Sequence, residues 1–463
     1  MKVYIRTYGC QMNDRDSENI AAQFLERGWE ITEDENECDV AVVNTCSVRE
    51  QAEQKAIGKL GHLVWLRKPF GKDFPVVGVA GCMAQNKGAE LVKLLPDLDF
   101  VAGARQTHRV ADIAIEICEM RKRGIRHPQL PLGAKRTPKT SAAIVDISDD
   151  KTSHLFINKH LPITGTRKSC AFVSIMQGCQ MNCSYCIVPK VRGAQRSRPT
   201  DDIVGEVKKL ADAGVREITL LGQVVNAFGR ELGKTDGKTE FVRLLEKINA
   251  IDGIARIRFT SPHPAFFGGD LIDAYADIPK LCEYVHLPLQ SGSNRILKEM
   301  RRPYTAEKFL EIVEKLRSRK PNISISTDVI VGYPDETDAD FDETRRVFKA
   351  ADFDMAFIFK YSPRTGTKSA ELPDSVPEEV KEARNQILLA DLAEQSMRYH
   401  DKLVGTTQEI LVEAPAKRGE SLFMGRTRTH RKTIFRASPE LIGKLVNVKI
   451  AKATITALEG EIV

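Results

Sequence analysis

Three cysteines with the spacing of metal ligands lie in one short stretch of the chain. Cys179, Cys183 and Cys186 form a C-x3-C-x2-C run, which we call the loop triad. Three thiolates in one tight loop suit a soft metal or an iron–sulfur cluster. A structural zinc ion usually takes four ligands in two separated pairs. We therefore favour a [4Fe–4S] cluster over zinc, and either over three buried thiols. One iron of such a cluster has no protein ligand and can bind a small molecule.

A second set of cysteines, Cys10, Cys46 and Cys82, is spread along the first third of the chain. Each follows a short apolar run, and the two steps between them are both 36 residues long. We call them the separated triad. If the runs are parallel strands, their C-terminal ends lie together at one edge of the sheet. Three core cysteines are the alternative, because free cysteine is among the most buried residue types. Beside a cluster motif we favour ligands, again with one iron left open.

The elements around both triads alternate between strand and helix patterns. Apolar runs and amphipathic helices over residues 1–120 predict an N-terminal parallel α/β domain. Residues 121–164 include a stretch rich in Pro, Lys and Thr, which predicts a linker. Residues 165–397 contain six strand–helix units, which predict an incomplete (βα)6 barrel. The fold class is therefore α/β.

The barrel should carry its chemistry at the C-terminal ends of its strands. A basic run follows the loop triad, and an arginine fork there suits a phosphate or a cofactor carboxylate. Each candidate could instead cap a helix or a turn. We predict that the following polar residues bind the cofactor: Arg192, Gln223, Asn226, Ser261, Gln290 and Asp328.

The last part of the chain, residues 400–463, alternates apolar and polar residues in short runs and predicts a small antiparallel β-barrel. One predicted hairpin is strongly basic and contains no acid. Small β-barrels often bind single-stranded nucleic acid through basic grooves. A charged hairpin that is only solvated is the alternative. We expect five cations of this hairpin to contact an RNA backbone: Arg426, Arg428, Arg431, Lys432 and Arg436.

Composition excludes several classes of protein. The chain has 463 residues with 42% apolar content, which rules out a disordered chain and a disulfide miniprotein. No apolar run reaches the roughly 18 residues that a membrane span needs. The first residues do not have the pattern of a secretory signal. We therefore expect a cytoplasmic protein, in which the 10 cysteines are not paired in disulfides and point to metal binding or catalysis. Four of them have no metal-ligand spacing and are expected to be packing residues: Cys38, Cys118, Cys170 and Cys282.

Several segments resemble a known enzyme family. A C-x3-C-x2-C run at the end of the first barrel strand resembles the radical S-adenosylmethionine (SAM) enzymes. TYGCQMN, NTCSVRE and VAGCMAQ, which contain the separated triad, are similar to methylthiotransferases of the branch that acts on tRNA. FTSPHP, HLPLQSGSNRILKEMRRPYT, STDVIVGYPDET and YSPRTGT also match, and the C-terminal module resembles a TRAM domain. The resemblance covers nearly the whole chain, except for the linker.

The resemblance implies that each triad holds a [4Fe–4S] cluster and that all six cysteines are catalytic. It implies two molecules of SAM per turnover, one to methylate a sulfur atom and one to form a radical. The product would be a methylthio group on carbon 2 of N(6)-isopentenyladenosine, next to the anticodon. The implied partners are the anticodon stem-loop of tRNA and an electron donor such as flavodoxin or ferredoxin, with no membrane.

Two alternatives stay open. Within the family, the substrate could be threonylcarbamoyl-adenosine in tRNA, or a ribosomal protein. Outside the family, the chain could be an RNA-binding iron–sulfur electron carrier. Such a carrier would not need an open iron in both clusters, whereas this chain offers only three grouped thiolates in each set.

Overall fold

The computed structural model describes residues 1–47, 50–66, 75–123, 143–419 and 421–463. These residues form two compact units. The first contains residues 1–162 together with 176–181 and 187–198. The second contains residues 163–175, 182–186 and 199–463. The domain boundaries expected from the sequence stay a prediction.

The first unit is built on a parallel sheet. Its strands are β1 Lys2–Tyr8, β2 Glu30–Thr32, β3 Val40–Thr45, β4 Val76–Gly81, β5 Phe100–Gly103 and β6 Ile144–Asp146. Its helices are α1 Gln11–Glu26, α2 Glu50–Trp65, α3 Cys82–Leu94 and α4 Val110–Lys122. The strand order is β2-β1-β3-β4-β5-β6, and every neighbouring pair is parallel.

Both faces of this sheet are buried, which explains why its strands read as continuous apolar runs. On β3, Val40 and Val42 pack into one core with side chains of α1 and α4. Ala41 and Val43 point to the opposite face and pack with α2 and α3. The N-terminal parallel α/β domain expected from the sequence is therefore confirmed.

Strand β6 lies inside the segment expected to be a linker. Residues 144–146 pair in parallel with β5 and extend the sheet to six strands. Most of the Pro- and Lys-rich stretch, residues 124–142, lies outside the described residues. A strand of three residues is too short to show an alternating pattern in the sequence. This element could therefore be found only in the structure.

The chain order of the sheet reverses between β1 and β3. Strand β2 lies on one side of β1, and all later strands lie on the other side. In open parallel sheets this switch point creates a crevice beyond the C-terminal strand ends, where ligands bind. Cys10 and Cys46 follow the two strands that flank this crevice.

The segments next to the loop triad carry short elements. These are β7 Cys170–Ser174, β8 Met176–Gln177, α5 Val188–Arg192 and β9 Arg196–Ser197. Strands β8 and β9 pair antiparallel within the first unit. Strand β7 belongs to the second unit and begins its barrel.

The second unit contains an incomplete barrel of six parallel strands, as the sequence predicts. The barrel strands after β7 are β10 Glu217–Leu221, β13 Arg256–Phe259, β14 Tyr284–His286, β15 Ser324–Val331 and β16 Met355–Lys360. The unit also contains the short strands β11 Lys234–Thr235 and β12 Lys238–Thr239. Its helices are α6 Thr200–Asp212, α7 Glu240–Asn249, α8 Gly269–Asp277, α9 Asn294–Glu299, α10 Ala306–Arg319, α11 Asp338–Ala351 and α12 Glu378–Asp401. Strands β11 and β12 form a separate small ribbon. The barrel sheets β13-β10-β7 and β14-β15-β16 are linked by a parallel bridge between Ile257 and Leu281.

The C-terminal module is a closed five-stranded barrel. Its strands are β17 Thr407–Pro415, β18 Leu422–Thr427, β19 Lys432–Arg436, β20 Leu445–Ala453 and β21 Leu458–Ile462. The order is β17-β18-β19-β21-β20, and only β19 and β21 pair in parallel. Phe423 and Phe435 are buried in its core. The small barrel expected from the sequence is therefore confirmed.

The β18–β19 hairpin docks on the N-terminal side of the (βα)6 barrel. Arg428 forms an ion pair with Glu283 at 2.7 Å, just before β14. Arg431 forms an ion pair with Asp354, just before β16. Arg258 donates to the main-chain oxygen of Arg428 at 2.8 Å. The hairpin is therefore an internal contact of the second unit.

This docking corrects the expectation that all five hairpin cations contact RNA. Arg428 and Arg431 are bound to acids of the barrel, and Arg426 pairs with Glu413 of β17. Lys432 and Arg436 are exposed. These ion pairs could not be predicted from the sequence of the hairpin, because the partner carboxylates lie between 13 and 145 residues away. None of the helices in the described ranges has both the length and the hydropathy needed to cross a bilayer.

Candidate functional site: two sets of three cysteines

The separated triad lies at the ends of three adjacent strands. Cys10 caps the start of α1 directly after β1, Cys46 follows β3, and Cys82 is the first residue of α3 after β4. Cys46 and Cys82 are buried, and Cys10 is partly exposed. Tertiary structure thus brings together three sulfur atoms that are 36 residues apart in sequence.

Two of these thiols interact directly. A hydrogen bond with Cys46 lowers the pKa of Cys10 to about 6, against the effect of burial. Burial raises the pKa of Cys82, and the nearby Arg192 charge opposes that rise. Thiolates rather than thiols bind iron, so a hydrogen bond and a buried cation both favour the ligand form.

Arg192 of α5 is part of this site. Its Nε lies 3.3 Å from Sγ of Cys82, and its Nη2 lies 2.7 Å from a carboxylate oxygen of Asp16. Both charged side chains are almost completely buried. The structure therefore places Arg192, predicted as a cofactor-binding residue, beside the separated triad in the first unit.

The loop triad spans eight residues of the chain, so its three cysteines are close in sequence. In the first unit, Cys179 follows Gly178 and donates its main-chain N–H to the oxygen of Gly193 at 3.0 Å. In the second unit, the N–H of Cys186 donates to the oxygen of Cys183 at 3.1 Å. The run lies in the irregular segment between β8 and α5, with a turn at residues 184–185.

A second arginine, which is partly exposed, contacts the loop triad. Nη1 of Arg302 lies 3.3 Å from Sγ of Cys183, and its Nε donates to the hydroxyl of Tyr304 at 3.1 Å. The guanidinium also lies 5.1 Å from the centre of the Tyr304 ring. This contact could not be predicted from sequence, because 119 residues separate Arg302 from Cys183.

Four of the predicted pocket residues are linked by hydrogen bonds, directly or through a neighbouring residue; three lie beyond the C-terminal ends of strands, and Asp328 lies within β15. Asn226, after β10, accepts the N–H of His263 at 2.8 Å, and the N–H of Val225 donates to the oxygen of Ser261 at 3.2 Å. Gln290, after β14, donates its N–H to the oxygen of Asp328 at 2.8 Å. The carboxylate of Asp328 in turn lies 3.2 Å from Nε2 of His286.

Two of these residues have a left-handed backbone. Ser261 has φ +59° and Gln290 has φ +65°. Such conformations cost on the order of 1–3 kcal/mol for a residue other than glycine and tend to occur at functional sites. Gln223 adds a buried side-chain oxygen that has no hydrogen-bond partner within the described residues. Strain and an unpaired acceptor both support a binding role for this edge of the barrel.

His263 is a further polar group of this edge. Its Nδ1 accepts the main-chain N–H of Ala265 at 3.1 Å, so Nε2 carries the proton of the neutral ring. Burial, helped by the charge of Arg302, lowers the pKa of His263 to about 2. Nε2 is buried and has no partner among the residues that the structure describes. His263 is thus a neutral donor available to a bound ligand.

The triads fit iron–sulfur clusters by the chemistry of their donors. Each offers three sulfur atoms and an arginine N–H directed at one of them. No group of His, Cys, Asp or Glu in the described ranges has the arrangement of ligands around a single metal ion. A cubic cluster spaces its thiolates more widely than one ion does. Burial raises the pKa of Cys38, Cys118 and Cys170 to about 12, as expected for packing residues.

Comparison with known proteins matches three stretches of the chain to family models. The Uncharacterized protein family UPF0004 matches residues 2–103, and the Radical SAM superfamily matches residues 173–348. The TRAM domain matches residues 401–463. These stretches contain the separated triad, the loop triad with most of the (βα)6 barrel, and the C-terminal barrel.

Full-length relatives identify the family. The tRNA-2-methylthio-N(6)-dimethylallyladenosine synthase of Opitutus terrae is 50% identical, covering 100% of this chain and 97% of the relative. That of Akkermansia muciniphila is 47% identical, covering 99% of this chain and 98% of the relative. The chain belongs to this family. As a radical SAM methylthiotransferase, a tRNA-2-methylthio-N(6)-dimethylallyladenosine synthase uses a [4Fe–4S] cluster and SAM.

Solved structures show the same fold at low identity. The radical SAM methyltransferase TsrM from Kitasatospora setae has a TM-score of 0.56 at 14% identity, covering 80% of this chain and 77% of that chain. The cobalamin-dependent radical SAM enzyme OxsB has a TM-score of 0.54 at 11% identity, covering 86% of this chain and 56% of that chain. At such low identities the likeness shows a shared fold and nothing about the reaction.

Proposed function

We propose that this chain adds a methylthio group to carbon 2 of N(6)-dimethylallyladenosine next to the anticodon of tRNA. The observation that carries the proposal is the pair of three-cysteine sets in a chain that matches named synthases from end to end. The names of these relatives favour dimethylallyladenosine over threonylcarbamoyl-adenosine or a ribosomal protein. A simple electron carrier would not require a neutral donor and strained loops at the barrel edge.

We propose that each triad holds one [4Fe–4S] cluster and that two molecules of SAM are used per turnover. When bound, the loop-triad cluster supplies the electron that cleaves SAM to a radical, and the separated-triad cluster holds the sulfur that is transferred. A radical is needed because the C–H bond at carbon 2 is too weakly acidic for any side-chain base. The chain also needs an external electron donor, such as flavodoxin or ferredoxin.

In this proposal, the residues of this chain bind the clusters, orient the bound ligands and shield them from water. The ends of β1, β3 and β4 hold the separated triad, and Arg192 and Arg302 each donate to a cysteine sulfur. The N–H of His263 can donate to an acceptor atom of a bound nucleoside or of SAM. It does so without carrying charge, because burial keeps the ring neutral.

The tRNA is the proposed partner of the TRAM barrel. Bases of a single-stranded loop can be splayed out and reached by an enzyme. Because Arg426, Arg428 and Arg431 are paired internally, the exposed Lys432 and Arg436 are the hairpin cations available to phosphates. We place the enzyme in the cytoplasm, where its tRNA substrate occurs.

The direct test of the reaction is mass spectrometry of tRNA nucleosides. A strain that lacks the gene should accumulate N(6)-dimethylallyladenosine without the methylthio group, and expression of this chain should restore the methylthio form. Accumulation of an unmodified threonylcarbamoyl nucleoside instead would assign the enzyme to the other branch.

The tRNA-binding face can be tested with point variants. Lys432→Ala and Arg436→Ala should weaken tRNA binding and flatten the logarithmic salt slope by about 0.7 to 0.9 per lost phosphate contact. Arg428→Ala is the control and should leave the slope unchanged, because its charge is bound to Glu283. A flatter slope for Arg428→Ala would show that the hairpin leaves the barrel to bind RNA.

Removal of residues 401–463 would change more than RNA binding. Arg256 and Arg258 of β13 donate to main-chain oxygens of Arg426, Thr427 and Arg428. Without the module these guanidinium groups lose those acceptors, and the barrel surface that the hairpin covers becomes exposed to water. Loss of activity in the truncated chain would therefore not report on RNA binding alone.

A further inference from the structure

The guanidinium of Arg192 has three nitrogen atoms, and among the residues that the structure describes two of them have partners. Nε faces Sγ of Cys82 at 3.3 Å, and Nη2 donates to Asp16 at 2.7 Å. Nη1 is buried and has no hydrogen-bond partner within the described residues. The side chain as a whole is 4% exposed, so bulk water does not supply the missing acceptor.

An unpaired donor on a buried charged group is costly. Leaving such a group without an acceptor destabilises a fold by about 1–3 kcal/mol or more. Asp16 could have compensated both nitrogen atoms of the guanidinium end, but it is bound only to Nη2. A buried, oriented N–H next to a thiolate set is therefore suited to a ligand that arrives later and carries negative charge.

The position of Arg192 in the chain adds a second observation. Arg192 ends α5, which begins two residues after Cys186 of the loop triad. Ile187 and Val191, at the start and near the end of this segment, pack with Cys82 and Ala104 in one apolar cluster. The guanidinium is thus fixed by packing and by an ion pair, with few rotamers left.

We propose that Arg192 is a positioning residue whose Nη1 donates a hydrogen bond to an anionic sulfur ligand, a sulfide or an alkyl thiolate, at the separated triad. That ligand would occupy the iron that has no protein thiolate, so the inference rests on the cluster assigned to this triad under the proposed function. Iron prefers soft sulfur donors, and arginine prefers anions. The ion pair with Asp16 fixes the orientation of the Arg192 guanidinium. Because the pair has no net charge, Arg192 acts on the sulfur ligand as an oriented hydrogen-bond donor.

The test uses full-length protein with Cys179→Ala, Cys183→Ala and Cys186→Ala, so that only the separated triad can hold a cluster. Sodium methanethiolate is the probe, and the electron paramagnetic resonance spectrum of the reduced cluster reports its binding. Arg192→Met should raise the half-saturating concentration on the order of 10- to 100-fold, as for loss of a hydrogen bond to a charged group. Arg192→Lys should recover part of the affinity, because it keeps the charge but not the fork.

Lys190→Met is the matched control, since Lys190 lies on the same short helix and is exposed. It should bind the probe as the parent protein does. Iron content is measured for every variant and should stay at about four per chain.

The outcomes separate this inference from the proposed function. If the parent protein holds no iron at the separated triad, the two-cluster assignment fails. If it holds iron and Arg192→Met binds methanethiolate with the affinity of the parent, the role of Arg192 is refuted. If Arg192→Met, Arg192→Lys and Asp16→Asn all lose their iron while folded, Arg192 serves only to retain the cluster, and the inference is also refuted.

Discussion

The two cysteine sets have the same donors but are assembled in different ways. The cysteines of the loop triad lie within eight residues of the chain, so their spacing is a property of the local sequence. The separated triad depends on the pairing of β1 with β3 and of β3 with β4. A change of register in that sheet would separate the sulfur atoms, whereas the loop triad would keep its sequence spacing. The difference shows how one ligand chemistry can depend on local or on global structure.

The arginines of the two sets differ in their charge balance. Both lie 3.3 Å from a cysteine sulfur. Arg192 is paired with Asp16, whereas Arg302 has a tyrosine as its other partner and no salt bridge within the described ranges. The loop triad is therefore beside an uncompensated positive charge, and the separated triad is beside a neutral pair. A positive charge stabilises the more negative, reduced state of a cluster.

The largest expected effect comes from removing one triad at a time. With Cys10→Ala, Cys46→Ala and Cys82→Ala, the protein should keep about four irons and still cleave SAM reductively, but form no methylthio product. With the loop triad replaced, it should keep about four irons and not cleave SAM. Iron analysis and assays of 5′-deoxyadenosine and modified tRNA check both results. A methylthio product from the first variant would remove the separated triad from the reaction.

An intermediate effect is expected from the glycines that precede a cysteine in each set. Gly81 has φ +93° and Gly178 has φ +83°, and a Cβ at either position would clash with main-chain oxygens. Gly81→Ala should cost the iron of the separated triad, and Gly178→Ala the iron of the loop triad, because both backbones favour glycine. Iron per folded chain measures this loss. Gly58→Ala, in open space on α2, is the control. Equal loss from both triads in either variant would contradict independent assembly.

The smallest expected effect concerns reduction potentials. Arg302→Met should make the loop-triad cluster harder to reduce, by roughly 60 mV for a tenfold change in a one-electron equilibrium. Arg302→Lys, which keeps the charge, should shift it less. Removing the neutral pair with Arg192→Met and Asp16→Asn should shift the separated-triad cluster less than Arg302→Met shifts the other. Redox titrations of proteins with a single triad test this order, and equal shifts would show that Asp16 does not compensate Arg192.

Much of the architecture could be predicted from the sequence because it has strong local signals. The apolar runs of β1, β3 and β4, each followed by an amphipathic helix, indicate parallel units. The spacing of Cys179, Cys183 and Cys186 indicates a cluster ligand set without knowledge of the fold. The two barrels follow from the number and alternation of short strands.

What only the tertiary structure decided are the contacts between residues that are far apart in sequence. Arg192 and Asp16 are 176 residues apart, and Arg302 and Cys183 are 119 residues apart. The same holds for the acids that bind Arg428 and Arg431, through which the basic hairpin docks on the (βα)6 barrel. Residue type and local periodicity determine which elements form and which side chains can bind a metal. Which charge meets which sulfur or carboxylate depends on strand register and packing, and these are properties of the whole fold.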